Sequence, residues 1–347
     1  MQIQKAITIY DIAKEAGVSP ATVSRVLTNN ANVRCEKKEK IQNLIDKYNF
    51  KPNALARGLA DTKTKVIGLL TADVRNPYYA ELVVSCEQAA RAAGYTVLVS
   101  NFFGEIEQEE RQLEKLLEQR VDAIIQLGGR VDDLVSNIEY VELVNQALAT
   151  TPVIVTGKLD GSKCRMVRID SMKALDLLME HLLSLGHRKI AMVGGVLRVL
   201  STYEKLLRYK QILKEQGIAY DPDLVAEGNS YDAKDGYELM NQIYEKGNVP
   251  TAVIAINDFT AAGVMRSITE HGYRIPQDIS LVSYDNTYMA ELLIPKLTSV
   301  DYNYEEFGRK LIETTIATIE GKDGEILQTV TPVLVCRESS SVAPKAV

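Results

Sequence analysis

Residues 8–27, TIYDIAKEAGVSPATVSRVL, restrict the fold more tightly than any other part of the chain. Ile9, Ile12, Ala13 and Ala16 follow the i, i+3, i+4, i+7 spacing of one helical face. Gly17 then stops that helix, because the left-handed exit it needs is inexpensive only for glycine. Ser19 is a good N-cap, and Pro20 falls at the first helical position, where a missing N–H does no harm. The second helix buries Val23, Val26 and Leu27 and turns Pro20, Ala21, Ser24 and Arg25 outward. Two helices across a Gly-containing turn match the helix-turn-helix, whose second helix enters the DNA major groove N-terminus first. An αα-corner in a helical bundle uses similar spacing, but the small Ala13 at the crossing favours the DNA reading. Arg25 suits guanine O6/N7, with a phosphate contact as its competing role.

Charge agrees with this reading. Residues 1–65 carry twelve Lys/Arg against six Asp/Glu, whereas the whole chain has a net charge of -6. A basic head on an acidic body fits a nucleic-acid contact, in which phosphate neutralisation supplies much of the binding energy. A third helix with Ile41, Leu44, Ile45 and Tyr48 as its apolar stripe completes a small head. In the segment after it, Pro52 blocks backward extension, Asn53 can cap, and Ala54–Ala60 favours a short helix, marginal alone.

The stretches TIYDIAKEAGVSPATVSRVLTNN, FKPNALARGLADTKT and VIGLL closely resemble the lactose-repressor (LacI/GalR) family of transcription regulators. The resemblance implies a homodimer on a pseudo-palindromic operator, with paired hinge helices in the minor groove and Leu59 wedged between base steps, which kinks the duplex. It implies DNA contacts from Thr8, Tyr10, Ser19, Pro20, Ala21, Thr22, Ser24, Arg25, Asn29, Asn53, Ala56 and Leu59. The domains expected are a head at 1–50, a hinge helix and linker at 51–65, a core at 66–338 and a disordered tail at 339–347.

From Val66 onward, β-rich apolar runs at 66–70, 96–99, 123–127, 152–155, 190–193, 252–256 and 279–283 alternate with helical patterns. Such alternation implies α/β architecture: parallel sheets with helices on both faces. The pattern hesitates near 164–170 and 285–300, as expected of two lobes joined by crossings, placed near 160–165, 285–300 and 322–327. The family resemblance, carried here by VRIDSMKALDLLMEHLLSLGHRKIAMVGG and ISLVSYDNT, implies two doubly wound, periplasmic-binding-protein-like lobes around a small-molecule effector.

Ligands of open α/β sheets sit outside the carboxyl ends of the strands. Tyr78, Tyr79, Arg130, Asn257 and Asp285 fall at such ends, and Asp258 either joins them or caps the following helix. The resemblance adds Lys205, placed where the family commonly has an arginine clamp, and puts Gly157 where a second acid stands. A sugar or sugar derivative is the expected effector, and Lys205 with Arg130 raises an anionic one. A regulator whose effector is another protein stays open.

Catalytic signatures are missing: no GxGxxG follows a strand, and there is no Walker motif, HExxH or GxSxG. The sequence calls for no enzyme activity, cofactor or metal. His187 reads as structural. Cys35, Cys86, Cys164 and Cys336 form no CxxC pair and read as reduced, mostly buried thiols. The N-terminus lacks a secretory pattern and no apolar run spans a bilayer, so a cytoplasmic protein is expected, not a solute-binding transport protein.

Overall fold

The computed structural model describes residues 7–27, 33–50 and 63–345. It divides into two compact units, at 1–65 and 66–347. In the first, α1 (Ile9–Ala16), α2 (Pro20–Leu27) and α3 (Cys35–Lys47) surround a core of Ile12, Ala13, Ala16, Val23, Val26, Ile41 and Leu44. Thr8 and Asp11 form a reciprocal capping box, and Gly17 exits α1 at φ +71°. The Thr22 N–H donates to Ser19 Oγ at 3.3 Å, so Ser19 caps α2 as expected. Lys47 and the Tyr48 hydroxyl both donate to Glu15, at 2.9 and 2.7 Å, and pin α3 to α1. The expected hinge helix falls almost wholly on residues 51–62, outside the described residues.

The second unit holds two six-stranded sheets. The first, ordered β11-β5-β4-β3-β1-β2, contains β1 (Val66–Thr71), β2 (Thr96–Asn101), β3 (Ala123–Leu127), β4 (Val153–Val155), β5 (Arg165–Ile169) and β11 (Leu327–Val330), all parallel. The second, ordered β12-β10-β9-β8-β6-β7, contains β6 (Ile190–Val193), β7 (Val225–Ala226), β8 (Ala252–Ala255), β9 (Ser280–Asp285), β10 (Thr298–Asp301) and β12 (Val333–Val335). It is parallel except for the short edge strand β12. The helices are α4 (Pro77–Ala92), α5 (Ile106–Glu118), α6 (Ile138–Ala147), α7 (Ser171–Ser184), α8 (Leu200–Glu215), α9 (Ala233–Glu245), α10 (Asp258–Glu270), α11 (Tyr288–Leu292) and α12 (Tyr304–Ile319).

Strand side chains alternate between two apolar layers, as a sheet covered on both faces requires. In β1, Ile67 and Leu69 pack with Leu82 of α4 and Phe307 of α12, while Leu70 packs with Leu113 and Leu116 of α5. In β6, Ile190 and Met192 face Leu178 of α7 and Tyr209 of α8. Ala191 and Val193 face Met240 of α9 and Val264 of α10. Two lobes result, as the sequence predicts.

The crossings differ from expectation. They lie at Asp170, between β5 and α7; at Tyr302–Asn303, between β10 and α12; and at Thr331–Pro332, between β11 and β12. The hesitation near 164–170 is itself a strand: β5 reads Arg-Met-Val-Arg-Ile with only Val167 fully buried, too polar to register as a core strand. The expected disordered tail is also corrected. Ser339 is fully buried and its hydroxyl accepts from the Thr298 N–H at 2.8 Å. The Leu281 N–H donates to Ser339 O, the Ala343 N–H to Leu185 O, and Ser341 O meets His187 Nε2 at 2.9 Å. Ser339, Ser340 and Ser341 carry no apolar periodicity, yet their hydroxyl and backbone groups complete hydrogen bonding at the end of the second lobe. His187 is buried and structural, with Thr251 Oγ1 on its other ring nitrogen. Cys86 and Cys164 are buried, whereas Cys35 and Cys336 are exposed.

Candidate nucleic-acid interface and ligand cleft

In the head, the packing that buries Val23 and Val26 leaves Ala21 and Arg25 exposed, with Pro20, Thr22 and Ser24 half-buried beside them. Thr8, Tyr10 and Ser19 are exposed as well, and Tyr10 keeps 70% of its surface. The Ser19 and Thr22 hydroxyls lie 2.9 Å apart at the start of α2. A helix start bearing hydroxyls and an arginine can meet phosphates with its N–H groups and base edges with its side chains. Asn29, Asn53, Ala56 and Leu59 lie outside the described residues.

In the body, a cleft of about 700 Å³ opens at the carboxyl ends of both sheets, and all six effector residues named from the sequence line it. Asn76 accepts the Tyr78 N–H at 3.1 Å and starts α4 so that Tyr78 and Tyr79 meet edge to face, 4.9 Å apart. Tyr302 stands 6.1 Å from Tyr78. Asp285 ends β9 at φ +94°, a conformation an L-residue adopts only when its surroundings impose it. The next residue supplies that restraint: the Asn286 N–H donates to Ser299 Oγ at 3.0 Å, and Arg337 donates to Asn286 Oδ1 at 2.7 Å.

Lys205 projects from α8, and its Nζ donates to the Tyr302 hydroxyl at 3.1 Å and lies 4.0 Å from the Tyr284 ring centroid. Burial lowers its pKa to about 8, against the opposing pull of Asp285 and Glu204. Burial raises the Asp285 carboxyl well above the usual range, and the charge of Asp258 adds to that. Arg130 donates from Nε to Glu109 at 2.9 Å and from Nη1 to Glu110 at 2.8 Å, and stacks 3.8 Å from the Tyr140 centroid. Its charge is already matched, with only Nη2 unpartnered, so it is poorly placed to clamp an anion. Asn257 caps α10 by accepting the Thr260 N–H at 2.7 Å, and its amide donates to Tyr231 O. Asp258 is no cap. Its carboxylate accepts from Ser283, Ser299 and Thr287, tying α10 to β9 and β10.

Sequence reasoning missed Asp132, in the turn after β3. It lines the cleft, and burial with the charge of Asp133 raises its pKa to about 7. A Cβ on Gly157 would lie 1.9 Å from Val131 O and 2.7 Å from Asp132 Oδ1. The absent side chain at 157 therefore leaves room that Asp132 uses. A Gly at a position expected to carry an acid, across from a strand-end Asp, was the signal available.

The two lobes also touch across the cleft. The Leu134 N–H donates to Arg198 O at 2.6 Å, Asp133 pairs with Val199 as an antiparallel bridge, and Arg198 Nε lies 3.6 Å from Asp133. Arg168 of β5 meets Glu204 of α8 at 3.2 Å. These contacts join the turn after β3 to the segment before α8, the element that carries Lys205.

A helix-turn-helix head and a two-lobed body with a polar interlobe cleft define a DNA-binding regulator whose sensor is built like a solute-binding protein. Residues 8–53 match the bacterial regulatory proteins of the lacI family, and residues 179–340 match a periplasmic binding protein-like domain. Catabolite control protein A of Staphylococcus epidermidis is 35% identical over 297 residues, 85% of this chain and 87% of that protein. The chain belongs to the LacI family of DNA-binding transcription regulators. A Lac repressor dimer bound to operator and the anti-inducer ONPF superposes with a TM-score of 0.85 at 28% identity, covering 97% of this chain and all of that one. A regulator named CelR, in complex with cellobiose, matches at a TM-score of 0.72 and 25% identity, over 96% of this chain and all of that one.

Proposed function

We propose that this chain is a cytoplasmic, homodimeric repressor whose affinity for a pseudo-palindromic operator is set by a small hydroxylated effector, a sugar or sugar derivative, in the interlobe cleft. It catalyses no reaction and uses no cofactor. The observation that carries this reading is the cleft itself: tyrosine rings beside a carboxylate and an ammonium, at a point where both lobes contribute walls. Tyrosine faces suit the apolar face of a sugar ring, and Asp285 with Lys205 suits its hydroxyls. The operator, dimer and anti-inducer in the Lac repressor structure, and cellobiose in the CelR structure, support the same assignment.

Two lobes joined by three crossings can close only by bending those strands together. An effector that contacts both lobes favours one closure state, and the linker after residue 50 passes that difference to the heads. Such control needs differential affinity for two states, on the order of 1–3 kcal/mol. In the head, Thr8, Tyr10, Ser19, Ala21, Thr22, Ser24 and Arg25 serve the major groove, and Asn53, Ala56 and Leu59 the central minor groove. Mobility-shift titration on promoter fragments tests the reading. A sequence-specific, salt-sensitive shift is expected, and Arg25→Ala should cost about 2 kcal/mol and relax specificity at one base pair. Binding that ignores sequence would sink the operator assignment, and a uniform loss for Arg25→Ala would move that residue to a phosphate.

A further inference from the structure

Two carboxylates reach the cleft from opposite lobes, Asp132 from the turn after β3 and Asp285 from the end of β9. Asp285 is 6% exposed, and among the described residues neither carboxylate accepts a hydrogen bond. Burial raises the pKa of the Tyr78 and Tyr79 phenols well above the ordinary value, and the charges of Asp132 and Asp285 add to that, which sets both carboxylates near the two rings. The arginines around them are already matched: Arg130 by Glu109 and Glu110, Arg168 by Glu204, Arg198 by Asp133, and Arg75 by Asp73. Lys205 is balanced by the neighbouring charge of Asp285. Asp132 is the charge left over.

An anion in this cleft would set its charge beside Asp132, whose neighbouring acids Asp133 and Glu109 are paired with Arg198 and Arg130, while Arg168 draws on Asp132 but is held by Glu204. Two cleft-lining acceptors without donors, Asp285 buried and Asp132 half-buried, call for the reverse: a ligand rich in N–H and O–H groups that brings positive charge. We propose that the cleft takes a hydroxylated ring bearing an amino group, its ammonium on Asp132 and its hydroxyls shared by Asp285 and Lys205. The ring's apolar face lies against Tyr78 and Tyr79. Gly157 is the residue that makes this possible, because any side chain there would meet the Val131 carbonyl and displace the Asp132 carboxylate.

The proposal rests on the cleft being the effector site, and calorimetry on the full chain at pH 7 separates the two claims. The probes are glucosamine, galactosamine and mannosamine, their N-acetyl forms, the parent hexoses and the hexose 6-phosphates. At least one aminohexose should bind about tenfold tighter than its parent, a difference of roughly 1.4 kcal/mol. Its N-acetyl form, which keeps the N–H but loses the charge, should bind like the parent. Asp132→Asn should remove the preference for the amine, so that the aminohexose and its parent bind alike. A parent hexose that binds as well as its amine, or a 6-phosphate that binds tighter than either, overturns the proposal while the cleft remains an effector site. Silence from every probe overturns both. The wild-type ranking decides the matter even if the variant fails to fold.

Discussion

The head and the body use burial in opposite ways. In the head, seven buried apolar side chains hold a helix whose working face, Ala21 and Arg25, is open to solvent. In the body the working groups are themselves buried: Lys205 is 4% exposed and Asp285 6%, each held in place by packing. The head recognises something larger than itself and needs only a rigid edge. The body encloses something smaller and must meet the desolvation cost of its own polar groups. Mutations should therefore separate the two: core changes in the head abolish recognition by unfolding it, whereas polar changes in the body alter both stability and selectivity.

The largest effect is expected from Asp258→Ala. It strands the Ser283 and Ser299 hydroxyls and the Thr287 N–H in the interior and should cost about 3 kcal/mol. Denaturant unfolding should show the loss in the body's transition alone. If the head's transition moved too, the two units would not be separable in the way the comparison assumes. Val23→Ala should cost about 2 kcal/mol from a core with little to spare. Operator binding should fall while effector affinity, read by calorimetry, stays unchanged.

A finer test uses pH. Burial holds the Asp132 pKa near 7, raised by Asp133 and Glu109 and lowered by Arg168, whereas the unfolded chain ionises that carboxyl near 3.8. The folded state thus binds the proton more tightly, so this stabilising contribution is complete at acid pH and is lost as pH rises from about 4 to about 7. The difference in unfolding free energy between wild type and Asp132→Asn should follow that slope in ligand-free protein. A difference that stays flat across the window would mean that solvent reaches the carboxylate freely. The smallest effect belongs to Arg198→Ala. Its ion pair with Asp133 spans 3.6 Å on a side chain that is 76% exposed, and its loss should cost under about 0.5 kcal/mol. The Leu134–Arg198 backbone bond survives the change. A large drop in effector affinity would show that the side chain, not the backbone, holds the lobes together.

The same contrast governs what could be read from the residues. The head is local: its helix, stop, cap and outward face all fall within twenty residues, and spacing alone predicts them. The cleft is assembled from strand ends far apart in the chain. Tyr78, Tyr79, Lys205, Asn257 and Asp285 could be named because each follows an apolar run or matches a family motif. Asp132 escaped because it follows Gly128, Gly129 and Arg130, a turn with no outward sign of facing Gly157. The partners of Arg130 sit on α5, about one strand earlier, and nothing in the local pattern shows that its charge is already used. β5, β10 and α12 went unread for a related reason. They carry the chain between lobes, and polar residues, half-buried in β5 but buried as Thr298 and Ser299 in β10 and as Thr314 and Thr315 in α12, blur the alternation that marks the other elements.

The crossings have a consequence for how the chain is made. β11 closes one sheet and β12 the other, and residues 336–345 then stitch the end of the second. A ribosome releasing this chain from the N-terminus can let the head fold early, since its core is complete once Leu44 has emerged. The first lobe cannot finish until residue 330 is out, nor the second until residue 343, so both wait almost to the end, their open strand edges exposed through most of synthesis. Nascent-chain stalling should find DNA-binding competence far earlier than any ligand-binding competence.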